Sequence, residues 1–290
     1  MHRQTTIANL LLLLVAFIWG STFVAQRLGT AHVGAFTFNA ARFLLGAAAL
    51  LPVAWPRLRK EFSLQPALLL GGSLLAGVFL CAGINLQQLG LATTTAANAG
   101  FITGLYVVIV PFIGRFFGLR YGPGVWLGAA LCIVGLYLIG VSGKMELVPG
   151  DLWVLAGAFA WAFHVLVIGW LAPRIDSFAL AFGQTLVCAL LSLAVALVGK
   201  TLDMSGIMAA IWPLLFCGII TTGVAFTIQV VAQKNTSPAH AALIMQLETV
   251  FAALSGWLLL GETMSLRGLM GAALILTGML VSQFWHASRG

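Results

Sequence analysis

Two stretches of this chain repeat one another at a fixed offset of 142 residues, and that duplication restricts the fold more than any other feature. The clearest pair is Ser237–Glu262, SPAHAALIMQLETVFAALSGWLLLGE, and Thr95–Arg120, TAANAGFITGLYVVIVPFIGRFFGLR. The match sets Asn98 opposite His240, Tyr106 opposite Glu248 and Gly114 opposite Gly256. It extends to Ala16-Phe17-x-Trp19 with Ala158-Phe159-x-Trp161, to Gln87 with Gln229 and to Phe36 with Phe178. After one extra loop residue, Gly128-Ala-Ala-Leu-x-x-x-Gly135 matches Gly271-Ala-Ala-Leu-x-x-x-Gly278. Shared Ala and Leu carry little weight in apolar sequence. Paired Trp and Gln at one offset carry more.

The solvent of this duplicated unit is lipid. Apolar residues make up 61% of the 290 positions and charged residues only 7%, more apolar surface than a soluble chain of this size could bury. Ten apolar spans can be marked, with approximate limits 7–26, 34–54, 67–88, 95–117, 124–142, 151–171, 177–198, 209–231, 238–260 and 267–285. Each is long enough to cross about 30 Å of hydrocarbon as a helix. Pro, Gly or charge marks the breaks, as at Pro56–Glu61, Gly122–Pro123, Pro173–Asp176 and Lys234–Pro238. Each copy holds five spans. An odd number turns the second copy upside down, so the expected fold is an all-α membrane protein of ten transmembrane helices in two inverted five-helix repeats, 1–143 and 144–290.

Charge placement orients the chain. With the N-terminus inside, nine Lys and Arg residues fall on the inside: Arg3, Arg57, Arg59, Lys60, Arg115, Arg120, Arg174, Lys234 and Arg289. Four fall outside, Arg27, Lys144, Lys200 and Arg267, and Arg42 lies within a span. That bias predicts cytoplasmic termini, and it explains the net charge of +7 better than a nucleic-acid partner does. Trp55, Trp126, Trp153, Trp170, Trp212 and Trp285 sit near span ends, as interfacial anchors do. The first span continues through Trp19 and Phe23 without a clear small-x-small cleavage site, so it reads as a membrane span and not a removed leader. Cys81, Cys132, Cys188 and Cys217 fall inside spans without a CxxC pair and read as small core residues.

Polar residues inside spans are costly and therefore informative. His240 and Glu248 stand about 80° apart around one helix, with Ile244 between them. Span four offers Asn98, Phe101, Ile102, Leu105 and Tyr106. Span eight offers Thr222, Phe226, Gln229 and Gln233 within about 60° at 100° per residue, and span three offers Cys81, Asn85 and Gln88. Spans one and six add Trp19, Thr22, Trp161 and His164. These faces suit a substrate path, but Asn85 and Gln229 equally suit interhelical hydrogen bonding. His240, near a helix start, equally suits a capping contact. His164 and His240 lack companions at metal-ligand spacing, so neither a metal nor another cofactor is expected. Arg42 is expected to have a structural role, snorkelling outward or pairing with a carboxylate. Glu248 is the sole carboxylate well inside a span and must be protonated, paired or hydrated there. It fits a proton-linked or amine-binding site, and also a buried carboxylate that stitches helices. Tyr106, its repeat mate, is its expected hydrogen-bond partner.

Small residues mark expected close helix contacts at Gly100-x-x-x-Gly104, Gly114-x-x-x-Gly118 and Gly124-x-x-x-Gly128. Pro111 has no N–H for the Val107 carbonyl and predicts a kink in span four where a gate could flex.

With its inverted halves, Arg42 early in span two, the TTAANA and SPAHAAL openings and the LETVF…LLLGE ninth span, the chain resembles the EamA-type family of the drug/metabolite transporter superfamily. The resemblance covers nearly the whole chain. It implies a ten-helix exporter of small metabolites, often amino acids, in a bacterial cytoplasmic membrane, with the cavity on spans one, three, four and their inverted partners. Thr249 departs from the family, which often has Pro there, so the resemblance does not carry a helix break to that position.

A secondary carrier working by alternating access is thus the expected function. A polytopic membrane enzyme is the other class considered, but the sequence has no HExxH, GxSxG, Asp pair or Walker-type loop. A channel would show charged rings or repeated carbonyl motifs. The aromatic, weakly charged faces favour aromatic or bulky apolar amino acids, with nucleoside-like compounds and cationic drugs as the alternative cargo. The expected partners are a small-molecule substrate, protons and the lipid bilayer, with monomer and homodimer both open.

Overall fold

The computed structural model describes residues 2–91, 93–94, 96–140, 148–261 and 265–287. Lys144, Glu262, Arg289 and the junction at 143/144 lie outside them, as do the side chains of Arg27 and Asn98. Among the described residues the chain is helical throughout, with ten helices or helix runs long and apolar enough to cross a membrane.

The first half comprises α1 (His2–Thr30), α2 (Ala35–Leu64), α3 (Pro66–Leu91), α4 (Ala96–Gly104), α5 (Tyr106–Phe116) and α6 (Pro123–Gly140). The second comprises α7 (Pro149–Leu171), α8 (Ser177–Val198), the short α9 (Met204–Ala209), α10 (Ile211–Leu215), a π-helical segment Phe216–Ala225, and α11 (Phe226–Gln233). It closes with α12 (Pro238–Met245), α13 (Glu248–Leu260) and α14 (Leu266–Ala287).

Local chemistry sets the boundaries. Asp176 caps α8 by accepting from the Phe178 and Ala179 amides. Ser237 caps α12, with Pro238 in the first turn, where its missing N–H costs nothing. Gly261 ends α13 at φ +66°, a left-handed conformation that glycine adopts without a Cβ penalty.

Repeat-related helices pack against each other about a pseudo-twofold axis. The broadest contact joins α6 to α14, the fifth and tenth spans, and it rests on the duplicated glycines. A Cβ on Gly128 would meet the Gly278 carbonyl oxygen at 2.5 Å, and one on Gly278 would meet that of Gly128 at 2.5 Å. Gly135 and Gly271 stand in the same reciprocal relation, also at 2.5 Å. The two antiparallel backbones therefore approach as only glycine permits. The expected glycine contacts hold at Gly104, against Leu136, and at Gly124, against Trp285, but a Cβ on Gly100 would meet open space. Gly118 lies past the end of α5, at φ +81°.

Spans four and nine are both discontinuous, and at repeat-related positions. Span four steps at Leu105, whose amide bonds to the Ile102 carbonyl three residues back at 3.2 Å. Span nine steps at Gln246–Leu247, where the Leu247 amide likewise bonds to Ile244 at 3.1 Å. These tightened turns are 3₁₀ steps, a common hinge geometry. Pro111 lies inside α5, which continues through it, and the step in span four falls six residues earlier. The absence of Pro at Thr249 does not prevent a break either, because backbone hydrogen bonding makes it without a proline.

The outward faces carry lipid-ready side chains such as Leu10, Leu74, Phe116, Leu191 and Leu258, and Trp55, Trp153, Trp170 and Trp212 are exposed near span ends. At the end of the bundle holding the N- and C-terminal helix ends, loops from the two halves are tied together. Arg57 meets Asp176 at 3.8 Å, the Asp176 amide donates to Glu61 Oε1 at 3.2 Å, and Gln65 Nε2 donates to the Arg174 carbonyl at 2.7 Å.

Candidate functional site

The opposite end of the bundle is open. α5 packs on α12 near the middle, whereas α4 and α13 diverge beyond their steps and leave a vestibule between them. Counting its open mouth, it encloses about 1820 Å³. It is lined by Phe101, Gly104, Leu136, Gln246, Thr249 and Gly256, among others. Below it lies a narrow inner cavity of about 80 Å³, which shares Phe23, Gln26, Gln87, Thr103 and Glu248 with the vestibule. The two form one blind path from the open end to mid-bundle.

Aromatic rings shape the inner cavity. Trp19 on α1 packs against Phe226 on α11 with ring centroids 4.9 Å apart, and Trp161 on α7 lies across Gly83 of α3, where a Cβ would press the indole at 2.9 Å. Both indole Nε1 atoms lack an acceptor, so each holds an unused donor at the cavity. Thr22 meets Thr221 of the π-helical segment, Oγ1 to Oγ1 at 2.6 Å. Gln229 donates to Gln233 at 3.1 Å, Gln233 donates to the Val165 carbonyl at 3.0 Å, and the Gln229 Oε1 is left without a donor.

Glu248 is the first residue of α13, immediately after the step in span nine. Its position in that first turn complements the positive end of the half-helix dipole. Gly20 of α1 holds span one tightly to this place, since a Cβ there would meet the Glu248 carbonyl at 2.7 Å and the Phe251 Cβ at 2.5 Å. The half-buried carboxylate borders both vestibule and inner cavity and forms no ion pair among the described residues. Tyr106, at the matching first position of α5, lines the same cavity. Its hydroxyl donates to the Ala242 carbonyl at 3.4 Å, so the expected bond from Tyr106 to Glu248 is replaced by one to the α12 backbone.

Trp19, Thr22, Tyr106, Trp161, Phe226, Gln229 and Glu248 thus converge on the inner cavity, and Phe101 lines the vestibule. Three other expected residues lie elsewhere. His164 is fully buried beside the cavity wall, its Nε2 2.8 Å from Gln184 Oε1, with its ring against Trp161 and Phe226. Asn85 is bound to the Cys81 carbonyl at 2.9 Å and to Ser192 at 3.2 Å, which makes it interhelical glue. His240 contacts Ser237 Oγ at 2.7 Å and the Ser282 carbonyl at 2.9 Å, a capping and α14 contact away from the cavity. Asn98 falls on α4, with its side chain outside the described residues.

The cavity also takes in Gln26, Arg42, Gln87, Thr103 and Thr221. Gln87 was visible as the repeat mate of Gln229. Thr221 was missed because the 100° spacing assumed an α-helix: in the π-helical segment the extra residue per turn brings Thr221 to the cavity and turns Thr222 onto Gly46.

A blind cavity between inverted five-helix halves, bordered by broken helices, defines a membrane transporter fold. The EamA-like transporter family model matches this chain twice, over residues 6–141 and 148–283, so the chain belongs to that family. An uncharacterized transporter of Archaeoglobus fulgidus is 32% identical over 94% of this chain and 85% of its own length. The uncharacterized inner membrane transporter YedA of Escherichia coli K12 is 28% identical over 86% of this chain and 81% of its own length. A probable amino-acid metabolite efflux pump of Salmonella typhimurium is 27% identical over 94% of both chains. A crystal structure at 21% identity has the same fold, with a TM-score of 0.77 over 98% of this chain and 99% of the other.

Proposed function

We propose that this protein is a secondary carrier that exports small metabolites across a bacterial cytoplasmic membrane, foremost amino acids with aromatic or bulky apolar side chains. The observation that carries the reading is the pairing of one carboxylate, Glu248, with the rings of Trp19, Trp161 and Phe226 around a blind cavity. The rings take an apolar side chain, and a carboxylate in low dielectric takes an ammonium or a proton. The similarity to the probable amino-acid metabolite efflux pump of Salmonella supports the same reading.

With both termini cytoplasmic, the open end faces outward and the tied loops close the cytoplasmic side. Alternating access then exchanges the conformations of the two halves, 1–143 and 144–290. The steps at Leu105 and Gln246–Leu247 act as hinges that close the vestibule and open the opposite end. Pro111, inside the inner half of span four, eases its bending.

The test is a counterflow panel in proteoliposomes spanning amino acids, nucleosides and lipophilic cations. Saturable counterflow of phenylalanine, tryptophan or leucine supports the reading. Counterflow confined to lipophilic cations or nucleosides would make the protein a drug-type or nucleoside-type efflux carrier instead.

A further inference from the structure

Arg42 is the one cation among the described residues lining the inner cavity. It is only 2% exposed, and its Nε and Nη1 have no hydrogen-bond acceptor. It forms no ion pair among the described residues. Around it are the Phe43 ring at 5.0 Å, the Phe38 ring at 6.0 Å and the thiols of Cys188 and Cys217. The expected snorkel or carboxylate pair is therefore absent.

A guanidinium keeps its charge in proteins, and burying that charge without a counter-ion is costly. Aromatic faces offset part of the cost. Cys217 takes a hydrogen bond from the guanidinium, which leaves the Nε and Nη1 donors unused, and two such donors beside a cavity are an incomplete anion site. Glu248 borders the same cavity without pairing with Arg42, so the cavity holds one guanidinium and one carboxyl group, each free of the other.

We propose that Arg42 is a carboxylate subsite, so that the cargo is a zwitterion bound at both ends: its carboxylate on Arg42, its ammonium on Glu248 and its side chain among the rings. The ammonium half rests on the exporter reading; the Arg42 half rests on the unpaired guanidinium alone. The planar donor fork matches a carboxylate in two-point geometry. One guanidinium and one carboxyl group facing a single cavity match the two ends of a net-neutral cargo better than a phosphate dianion.

Calorimetric titration of the purified full chain in detergent tests this with three probes: L-phenylalanine, 3-phenylpropionate without the amine, and phenethylamine without the carboxylate. The unmodified protein is expected to bind all three, L-phenylalanine most tightly. Arg42→Gln should weaken 3-phenylpropionate and L-phenylalanine at least tenfold and leave phenethylamine within about twofold, which also reports an intact cavity. Arg42→Lys should recover part of the loss. The subsite is overturned if the unmodified protein does not bind 3-phenylpropionate, or if Arg42→Gln binds it as tightly. Should Arg42→Gln fail to fold, L-phenylalanine and L-phenylalaninamide decide on the unmodified protein, and equal affinities overturn the proposal. If 3-phenylpropionate binds through Arg42 while no amino acid undergoes counterflow, the exporter reading falls and the carboxylate subsite stands.

Discussion

Replacing Glu248 by glutamine separates a working carboxylate from a scaffolding one, because the two roles predict opposite ledgers. The side chain keeps its volume and loses its charge. Breaking a buried ion pair would cost about 3–5 kcal/mol. At about 2–4 °C per kcal/mol, that would lower the melting temperature by roughly 6–20 °C. Glu248 has no such pair and borders open cavity, so the expected shift is less than about 2 °C. Transport should bear the loss. A hydrogen bond to a charged group contributes about 1.5–3 kcal/mol, which is roughly 10- to 140-fold in affinity. Counterflow of L-phenylalanine in proteoliposomes should fall in that range, and its response to an imposed pH gradient should flatten. Tyr106→Phe is the control from the other half; it removes one long hydrogen bond to Ala242 and should be mild on both measures. A melting temperature lowered by 6 °C or more with normal turnover and pH response would refute the reasoning and make Glu248 scaffold.

Gly128→Ala should destabilise by about 1–3 kcal/mol, since its Cβ would stand 2.5 Å from the Gly278 carbonyl, and Gly278→Ala should cost the same by reciprocity. In the double variant the costs should be sub-additive, because one widening of the seam admits both methyls; full additivity in thermal unfolding would contradict the shared contact. Pro111→Ala restores the amide donor for the Val107 carbonyl and should slow counterflow with binding unchanged. Lost affinity with preserved turnover would show that the proline shapes the site instead. Reporter fusions should place both termini in the cytoplasm, and an external C-terminus would contradict the nine-to-four charge bias.

The architecture was legible because lipid makes hydropathy decisive and because the duplication fixes relative orientation. Trp19 and Trp161, read from one offset, meet at one cavity. Residues that failed to reach it did so for local reasons. His240 is held by the cap it helps to form, and Asn85 by its own turn. His164 shares the helix and sector of Trp161, yet Gln184 holds it within the wall. Helical spacing places a residue on a face but does not choose between neighbours on that face. The steps in spans four and nine could not be read at all, because neither Leu105 nor Leu247 carries a breaking signal. Arg42 was misjudged because its surroundings come from spans two, seven and eight together.

The π-helical segment Phe216–Ala225 has a consequence for the transport cycle. Its repeat counterpart, in α3, is an ordinary α-helix. Were the halves identical, the outward- and inward-facing forms would be the same object seen from opposite sides, and their free energies would be equal by symmetry. A wide turn in one half and not in the other removes that degeneracy. The Thr22–Thr221 bond and the Gly46–Thr222 seam join the first half to this wide turn, so the two forms of the empty protein are expected to differ in free energy. Cargo leaving on one side and the empty protein resetting on the other would then proceed at unequal rates, a bias built into the backbone before any ion gradient acts.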